Sequence, residues 1–229
     1  MNSKTAILLF NRSAYEEAEA KEYFSQVKEK KAIQLSRELR NNSLKICKQS
    51  GLPIINFNSK LQKGANFGKK ITHAIQASFQ EGYENLIVIG IDSPGLNYRH
   101  IKRAWQILEG TQSTVLGPSL DGGVYLIGIN KSNFNPQEFI ELAWQSENLQ
   151  ESWSLTQNEI VWLNALQDLD EAADLWAFAK SIFNTLQQFH HLVLLMLQIY
   201  QKKFLPLKIK VRKQTLSPSF GFRAPPSLF

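Results

Sequence analysis

The sequence predicts an α/β fold of three layers, in which a mostly parallel sheet is covered by helices on both sides. Two observations support this prediction. Short apolar runs of strand length alternate with longer amphipathic segments of helix length, as in open parallel sheets. The run LIVIGI at 86–91 is apolar throughout rather than at every second position, which is typical of a strand buried on both faces.

The first half of the chain supplies two strand–helix pairs. Thr5–Phe10 is an apolar run, and the Ser13 and Glu16 that follow it have the capping-box spacing that begins a helix. A second apolar run at 52–57 precedes a helix whose apolar residues recur on one face until Gly82 ends it.

The alternation continues with the strand at 86–91. Asn97 is a suitable cap for the next helix, which Gly110 closes. Two further strands are expected at 113–116 and 124–129, separated by GPSLDGG.

Size and composition suggest one main domain at 1–180 and an extension at 181–229. The chain has 229 residues, of which 43% are hydrophobic, so it can bury a sizeable core. Its formal charge of +6 is concentrated in the basic run at 201–213. Cys47 is the only cysteine, which excludes an intramolecular disulfide, and the apolar run at 5–10 is too short for a signal peptide. We therefore expect a soluble, cytoplasmic protein.

The extension contains a stripe of apolar residues at 182–200 that widens to nearly the whole circumference of a helix. Such a helix should be covered by the domain or by a second subunit, so a homo-oligomer through this helix is one expectation. A peripheral membrane contact, aided by the lysines after Gln201, is the weaker alternative. Nucleic-acid binding is not expected, because the basic residues do not interleave with aromatic residues in a recognisable module.

Asp92 stands where the buried strand at 86–91 ends, with Pro94 and Gly95 turning the chain behind it. Ligands of open α/β sheets collect beyond the carboxyl ends of the strands. A carboxylate there can hold Mg²⁺ that shares its other positions with substrate phosphates. Turn-capping by the Asp92 side chain is the alternative, and position alone does not separate the two.

A second carboxylate, Asp121, lies between two predicted strands and is followed by Gly122 and Gly123, which remove side-chain bulk where a ligand could approach. Two carboxylates in one cleft would suit a metal-bound diphosphate. The alternative is a hairpin turn, because Asp-Gly between apolar runs is a strong hairpin signal. The sequence has no G-x-G-x-x-G after its first strand, no P-loop motif, and no histidine pair with metal-ligand spacing.

The ordered motifs resemble a known family. QKGANFGKKITHAI, with Gln62, Gly64, Gly68 and Lys70, is similar to a Q-x-G-x-x-L-G-x-R helix entry, and IGIDSPGL and LGPSLDGGVYLIGI are similar to two further motifs. AWQS at 143–146 and DLDEAADL at 168–175 resemble later ones, although Asp170 is expected to cap a helix rather than bind a ligand. The family is DUF2064, also called the radical-SAM/selenodomain-associated transferases, which resemble cofactor-guanylyltransferases.

The resemblance implies the nucleotide-diphospho-sugar transferase fold, a Rossmann-like fold known as GT-A, and a metal-dependent glycosyl- or nucleotidyltransferase. It implies Mg²⁺ or Mn²⁺ as cofactor and a nucleotide sugar or nucleotide as substrate. Asp92 would be the metal ligand, and Asp121 would orient substrate or act as a base. The resemblance implies further contacts to the nucleotide at Gln62, Gly64 and Lys70, and to substrate at Ser93, Gly122, Gly123 and Trp144.

The largest departure from the family follows the first strand, where a glycine-bearing basic loop usually wraps the nucleotide phosphates. This chain reads NRSAYEEAEAKEYF there, which leaves Arg12 and Lys21 as the expected phosphate contacts. The glutamates are expected on a solvated helix face, because carboxylates repel a diphosphate. They are Glu16, Glu17, Glu19 and Glu22. The alternative to a transferase is therefore a binding or partner protein that kept the sheet and lost the phosphate loop.

Overall fold

The computed structural model describes residues 4–20, 29–156 and 159–166. Six strands form one sheet in this part of the chain, with the order β2-β1-β3-β5-β4-β6. Their bounds are β1 Thr5–Phe10, β2 Ile54–Phe57, β3 Asn85–Ile89, β4 Thr114–Pro118, β5 Val124–Asn130 and β6 Ile160–Trp162.

The sheet is mostly parallel. β1 pairs in parallel with both β2 and β3, and β4 pairs in parallel with β6. β5 runs antiparallel to its two neighbours, β3 and β4. The predicted fold class is therefore confirmed, with β5 as the one reversed strand among those described.

Helices cover both faces of the sheet. Their bounds are α1 Ala14–Ala20, α2 Glu29–Gln49, α3 Phe67–Gln80, α4 Tyr98–Gly110, α5 Pro136–Glu141 and α6 Leu149–Ser154. Helices α3, α5 and α6 contribute to one apolar cluster, and α2 and α4 contribute to the other. A single layer of strands therefore separates two hydrophobic cores.

The central strands supply both cores because successive side chains point to opposite faces. In β1, Ala6 and Leu8 belong to the first cluster, whereas Ile7 and Leu9 belong to the second. All four side chains are fully buried. This two-sided burial is the physical reason why the strand reads as an unbroken apolar run.

Two predicted helix caps are present. The Ser13 backbone N–H donates to Glu16 Oε2 at 2.9 Å, and the Glu16 N–H donates to Ser13 Oγ at 3.2 Å, which completes a capping box at the start of α1. Asn97 caps α4, since its Oδ1 accepts from the Arg99 N–H at 2.9 Å. Helix α2 has no counterpart among the predicted elements.

Several predictions fall on residues outside the described ranges. These are the contact of Lys21, the solvated position of Glu22, the motif at 168–175 with Asp170, and the whole extension at 181–229. None of the helices in the described part is long and apolar enough to cross a membrane.

Candidate functional site

A cleft of about 730 Å³ opens at the carboxyl edge of the parallel strands. The chain leaves β1 at Asn11 and Arg12, and it leaves β3 at Gly90 and reaches Asp92, so these two neighbouring strands end side by side. Antiparallel β5 begins at the same edge, which brings the turn containing Asp121 to the cleft. Because β5 is reversed, the turn between β4 and β5 lies at the same edge of the sheet as the ends of the parallel strands.

The structure places most of the predicted site residues in this cleft. Its walls include Arg12, Gln62, Lys70, Asp92, Asp121, Gly123 and Trp144. Gly64, Ser93 and Gly122 adjoin these residues in the chain but are not among those that line the cleft. Sequence motifs far apart in the chain are thus brought together at one edge of the sheet.

The loop carrying Asp92 is held at both ends. It leaves the buried strand β3 on one side and enters capped α4 on the other, and within it the Leu96 N–H donates to the Ser93 carbonyl at 3.0 Å. Ser93 and Pro94 are buried, whereas Asp92 is half-buried at the cleft. The carboxylate is therefore carried by a supported loop, as a binding group requires.

His100 ties this loop to the wall of the cleft. Its Nδ1 accepts a hydrogen bond from the Asn97 N–H at 3.1 Å, and its ring packs edge-on against Tyr125, with 5.7 Å between ring centroids. Burial lowers the pKa of His100. An unprotonated Nδ1 is needed for this cap, so the low pKa and the hydrogen bond favour the same state.

Asp121 is an exposed residue in the hairpin turn between β4 and β5. Its Oδ1 accepts from the Gly123 N–H at 3.0 Å, and the Ser119 N–H donates to the Gly123 carbonyl at 2.9 Å. The hairpin interpretation is thereby confirmed. It is compatible with a site, because the same residue also lines the cleft.

Gln150, on α6, holds the hairpin turn, and no sequence signal pointed to it. Its side-chain Nε2 donates to the carbonyls of Ser119 and Gly123, at 2.8 Å each, and its backbone N–H donates to the Gly122 carbonyl at 3.3 Å. These bonds fix both sides of Asp121 to a helix. A glutamine in an amphipathic segment has no periodicity or spacing that would identify this role.

Gly122 brings the turn into direct contact with the chain before α6. Its φ of +91° lies in the left-handed region. A Cβ at this position would stand 2.2 Å from the Glu147 carbonyl oxygen. Gly122 is therefore required for backbone packing beside the cleft.

Gln62 connects two loops at the cleft. Its Nε2 donates to the Asn11 carbonyl at 2.9 Å and to the Phe57 carbonyl at 3.3 Å. The side chain thus joins the chain leaving β1 to the chain leaving β2. Both bonds go to backbone, so Gln62 shapes the loop that carries Arg12.

Gly64 and Gly68 serve backbone geometry around the entry to α3. Gly64 has φ +139°, and a Cβ there would stand 2.6 Å from Lys69 Cβ. At Gly68 a Cβ would meet the indole of Trp144, whose Nε1 donates to the Phe139 carbonyl at 2.6 Å. The two glycines allow α3 to begin close to the aromatic wall of the cleft.

The expectation that all glutamates of α1 lie on a solvated face is wrong for Glu17. Glu17 is only 6% exposed and belongs to the wall of the cleft, whereas Glu16 and Glu19 are exposed. The short helix α1, AYEEAEA, has too few residues and too few large apolar side chains for its inner face to be read from the sequence. Hydrogen bonds from Ser13 and from the Ser59 hydroxyl lower the pKa of Glu16 to about 2.

The carboxylates of the cleft suit a cation only when it is shared with a substrate. Across residues 4–20, 29–156 and 159–166, no three His, Cys, Asp or Glu residues form a metal-binding group. Mg²⁺ is commonly held by one or two carboxylates and completes its shell with water and substrate phosphates. Asp92 and Asp121 line one cleft, so they fit the arrangement in which two carboxylates hold the cation and substrate phosphates complete its shell.

The sheet order and the edge cleft define the class of fold, that of the nucleotide-diphospho-sugar transferases. A crystal structure from Desulfovibrio desulfuricans G20, provisionally described as such a transferase, matches with a TM-score of 0.76 and 23% sequence identity. The alignment covers 87% of this chain and 98% of that one. Residues 33–146 match the model of the family DUF2064, described as uncharacterized protein conserved in bacteria. This match confirms the resemblance seen in the motifs of that segment.

Two other solved structures superpose more loosely. The homologue of Rv0371c from Mycobacterium sp. strain JC1 has 10% identity and a TM-score of 0.46, over 80% of this chain and 98% of that chain. A cytidylyltransferase from Leptospira borgpetersenii has 11% identity and a TM-score of 0.41, over 87% and 95%. No curated protein matches the sequence.

Proposed function

We propose that the chain is a metal-dependent transferase that moves a glycosyl or nucleotidyl group from a nucleotide sugar or nucleoside triphosphate. One observation supports the proposal above all. Two carboxylates, Asp92 and Asp121, line the same carboxyl-edge cleft as two cationic side chains, Arg12 and Lys70. Carboxylates that share a cation with phosphates, beside cations that contact phosphate directly, are the groups that phosphate-transfer chemistry needs.

The roles follow from position. Asp92, half-buried on the supported loop, is the candidate metal ligand. A bound Mg²⁺ or Mn²⁺ would offset the charge on the leaving phosphate. Arg12 and Lys70 would bind phosphate oxygens from the side of β1 and α3. Asp121 would orient the substrate or accept a proton from the attacking hydroxyl, at the hairpin side of the cleft.

Neighbouring groups would position the substrate. Trp144 presents an aromatic surface at the cleft, suited to the apolar face of a sugar or base. Gly123 adds backbone without a side chain beside Asp121, and Gly122 packs that turn against Glu147. Gln62 would act through the loop that it fixes. Ser93 and Gly64 do not line the cleft, so they would act on the substrate through the loops to which they belong.

Titration calorimetry tests the proposal. The full chain is titrated with nucleotide sugars and nucleoside triphosphates in the presence of Mg²⁺, of Mn²⁺, and of a chelator. We expect cation-dependent binding of at least one nucleotide, weakened at least about tenfold by Asp92→Asn, since a charged hydrogen-bonding or metal contact is lost. Glu138→Gln removes an exposed charge on α5 and is the matched control. Folded protein that binds no member of the panel would overturn the proposal and leave a binding or partner role.

A further inference from the structure

The exposed side of α2 is lined by cations. Its buried residues, which include Leu35, Leu39 and Ile46, recur at helical spacing along one side. The opposite side is exposed and consists of cations and amides, namely Lys30, Gln34, Arg37, Asn41, Lys45 and Lys48. Glu38 is half-buried at the edge of this row. Positive charge therefore runs along most of a helix of 21 residues, which is about 31 Å long.

Helix α4 has a surface of the same kind. Ile101 and Leu108 are buried, and the other side exposes cations and an amide. These residues are Arg99, Lys102, Arg103 and Gln106. The one carboxylate of α4, Glu109, accepts hydrogen bonds from the Thr5 hydroxyl at 2.6 Å and from the Trp105 indole N–H at 3.2 Å. The outward side of α4 is therefore basic as well.

The two helices form one face. They contact each other, and both contribute to the hydrophobic cluster on the same side of the sheet. Their exposed cations together make up the basic face: Lys30, Arg37, Lys45, Lys48, Arg99, Lys102 and Arg103. On the other side of the sheet, α5 and α6 carry Glu138, Glu141 and Glu151 and no cation. The side of α2 and α4 is therefore the more basic of the two.

The basic face is unfavourable for the isolated protein. Lys45 and Lys48 are three residues apart on α2, and Arg99 stands three and four residues before Lys102 and Arg103 on α4. Like charges at these spacings repel and destabilise a helix. Amides or charges of both signs would keep the helices equally soluble without this repulsion. An anionic partner would offset it, so the arrangement favours such a partner.

A flat anionic surface fits the basic face better than a nucleic acid. In the described part of the chain, the exposed large hydrophobic side chains all lie outside α2 and α4. They are Tyr15, Leu61, Leu120, Leu155 and Trp162. The basic face therefore offers no exposed ring on which a nucleobase could stack, and its helices lie side by side against the sheet rather than projecting towards a groove. Anionic lipid head groups need neither feature, because they attract every Lys or Arg that reaches the bilayer surface.

We infer that the basic face docks the domain onto a membrane surface that contains anionic lipids. The cleft is lined by residues outside α2 and α4, so it would stay open to substrate in the docked protein. The contact is electrostatic and reversible, and the apolar stretch at 182–200 in the sequence would supply a second attachment. The sequence alone left a membrane contact as the weaker alternative, because helix α2 was not predicted. The inference goes beyond the proposed function and does not depend on it.

The test measures co-sedimentation of the full chain with lipid vesicles. The vesicles consist of phosphatidylcholine with or without phosphatidylserine, at about 0.1 M and about 0.5 M salt. The basic-face variant combines Arg37→Gln, Lys45→Gln and Lys48→Gln, and glutamine keeps the helix propensity. The control variant removes the same number of exposed charges elsewhere, by Lys60→Gln, Lys63→Gln and Lys69→Gln. The two variants therefore have equal net charge.

Wild type should bind the vesicles that contain phosphatidylserine at the lower salt concentration and should be released at the higher one. The basic-face variant should bind about a hundredfold more weakly, because each Lys or Arg near an anionic bilayer contributes about a factor of five. The control variant should bind within about threefold of wild type, since charges far from the bilayer are screened.

Three results would overturn the inference. They are a wild-type chain that does not bind anionic vesicles, equal binding by wild type and the basic-face variant, and equal losses in the two variants. Tighter binding to a nucleic-acid duplex than to the vesicles would overturn it as well. Urea unfolding checks that the variants are folded. If the basic-face variant does not fold, Lys102→Gln combined with Arg103→Gln on α4 should weaken vesicle binding about thirtyfold.

Discussion

Gly68 and the indole of Trp144 are in direct contact across the entrance to α3. A Cβ built on Gly68 would stand 2.7 Å from Trp144 Cδ1 and 2.9 Å from the carbonyl oxygen of Ile140. The indole is held by the hydrogen bond from Nε1 to the Phe139 carbonyl and by ring contacts with Phe67 and Phe139. The indole cannot move aside without breaking these contacts, so the absence of a side chain at Gly68 fixes one wall of the cleft.

Gly68→Ala should therefore destabilise the protein even though alanine is the better helix former. The added methyl group must displace the indole or the α5 backbone, and overpacking of this kind costs about 1–3 kcal/mol. Urea unfolding measures the loss of stability, and tryptophan fluorescence reports the displacement. Gly110→Ala is the control, since a Cβ there would meet nothing within 4 Å. Equal stabilities of the two variants would contradict the close contact.

The hydrogen bonds from Gln150 to the hairpin turn predict an effect on stability. Gln150→Leu keeps the volume of the side chain but removes the donor shared by the carbonyls of Ser119 and Gly123. Each carbonyl keeps one backbone donor, but two side-chain hydrogen bonds are lost. Since each contributes about 0.5–1.5 kcal/mol, the free energy of unfolding should fall by about 1–3 kcal/mol. Gln76→Leu, on the exposed side of α3, is the control and should change stability by less than about 0.5 kcal/mol.

Hydrogen exchange shows whether Gln150 holds the hairpin turn locally or only contributes to the stability of the whole domain. In Gln150→Leu the amides of Gly122 and Gly123 should exchange faster than expected from the global loss of stability alone, because the turn opens locally. If their exchange changes only in step with the rest of the sheet, Gln150 does not hold the turn that carries Asp121.

The low pKa of Glu16 predicts that the stability of the protein depends on pH in acid. Its pKa of about 2 in the folded protein is below the ordinary value of 4.5, so its contribution to stability is present above pH 4.5 and is lost as the pH falls towards 2. The group is exposed, and screening keeps the contribution below about 1 kcal/mol. The free energy of unfolding should therefore be higher for wild type than for Glu16→Gln at pH 6, and this difference should disappear near pH 2. A difference that is constant with pH would contradict the assigned hydrogen bonds.

Much of the fold was predictable because it follows from burial. The strands β1 and β3 are apolar after their first residue because each contributes to two cores, and the Asp-Gly pair indicated the hairpin between β4 and β5 as one of two alternatives. Helix α2 was not predicted. Its buried side includes Ser36 and Ser43 among apolar residues, which weakens the periodicity that marks a helix.

The position of the candidate site residues was predictable where it depends on strand ends. Asp92 and Asp121 were identified because ligand groups collect at the carboxyl edge of a sheet, and both line the cleft. The burial of Glu17 and the contacts of Gln150 were not predicted, because both depend on how short helices are oriented against loops distant in the sequence. That orientation is set by contacts such as the Glu16–Ser59 hydrogen bond, and no local pattern encodes it.

His100 makes the Asp92 loop sensitive to mild acid. Nδ1 must stay unprotonated to accept from the Asn97 N–H, and burial lowers the pKa of the folded group below its ordinary value of 6.5. Below pH 6.5 the unfolded chain therefore binds more protons at this position than the folded chain, and stability falls as the pH falls. His100→Gln keeps a side-chain acceptor at the third position of the capping box and removes the titration. Urea unfolding between pH 7.5 and 5 should show a steeper loss of stability in wild type than in the variant, and parallel profiles would exclude His100 as the titrating cap.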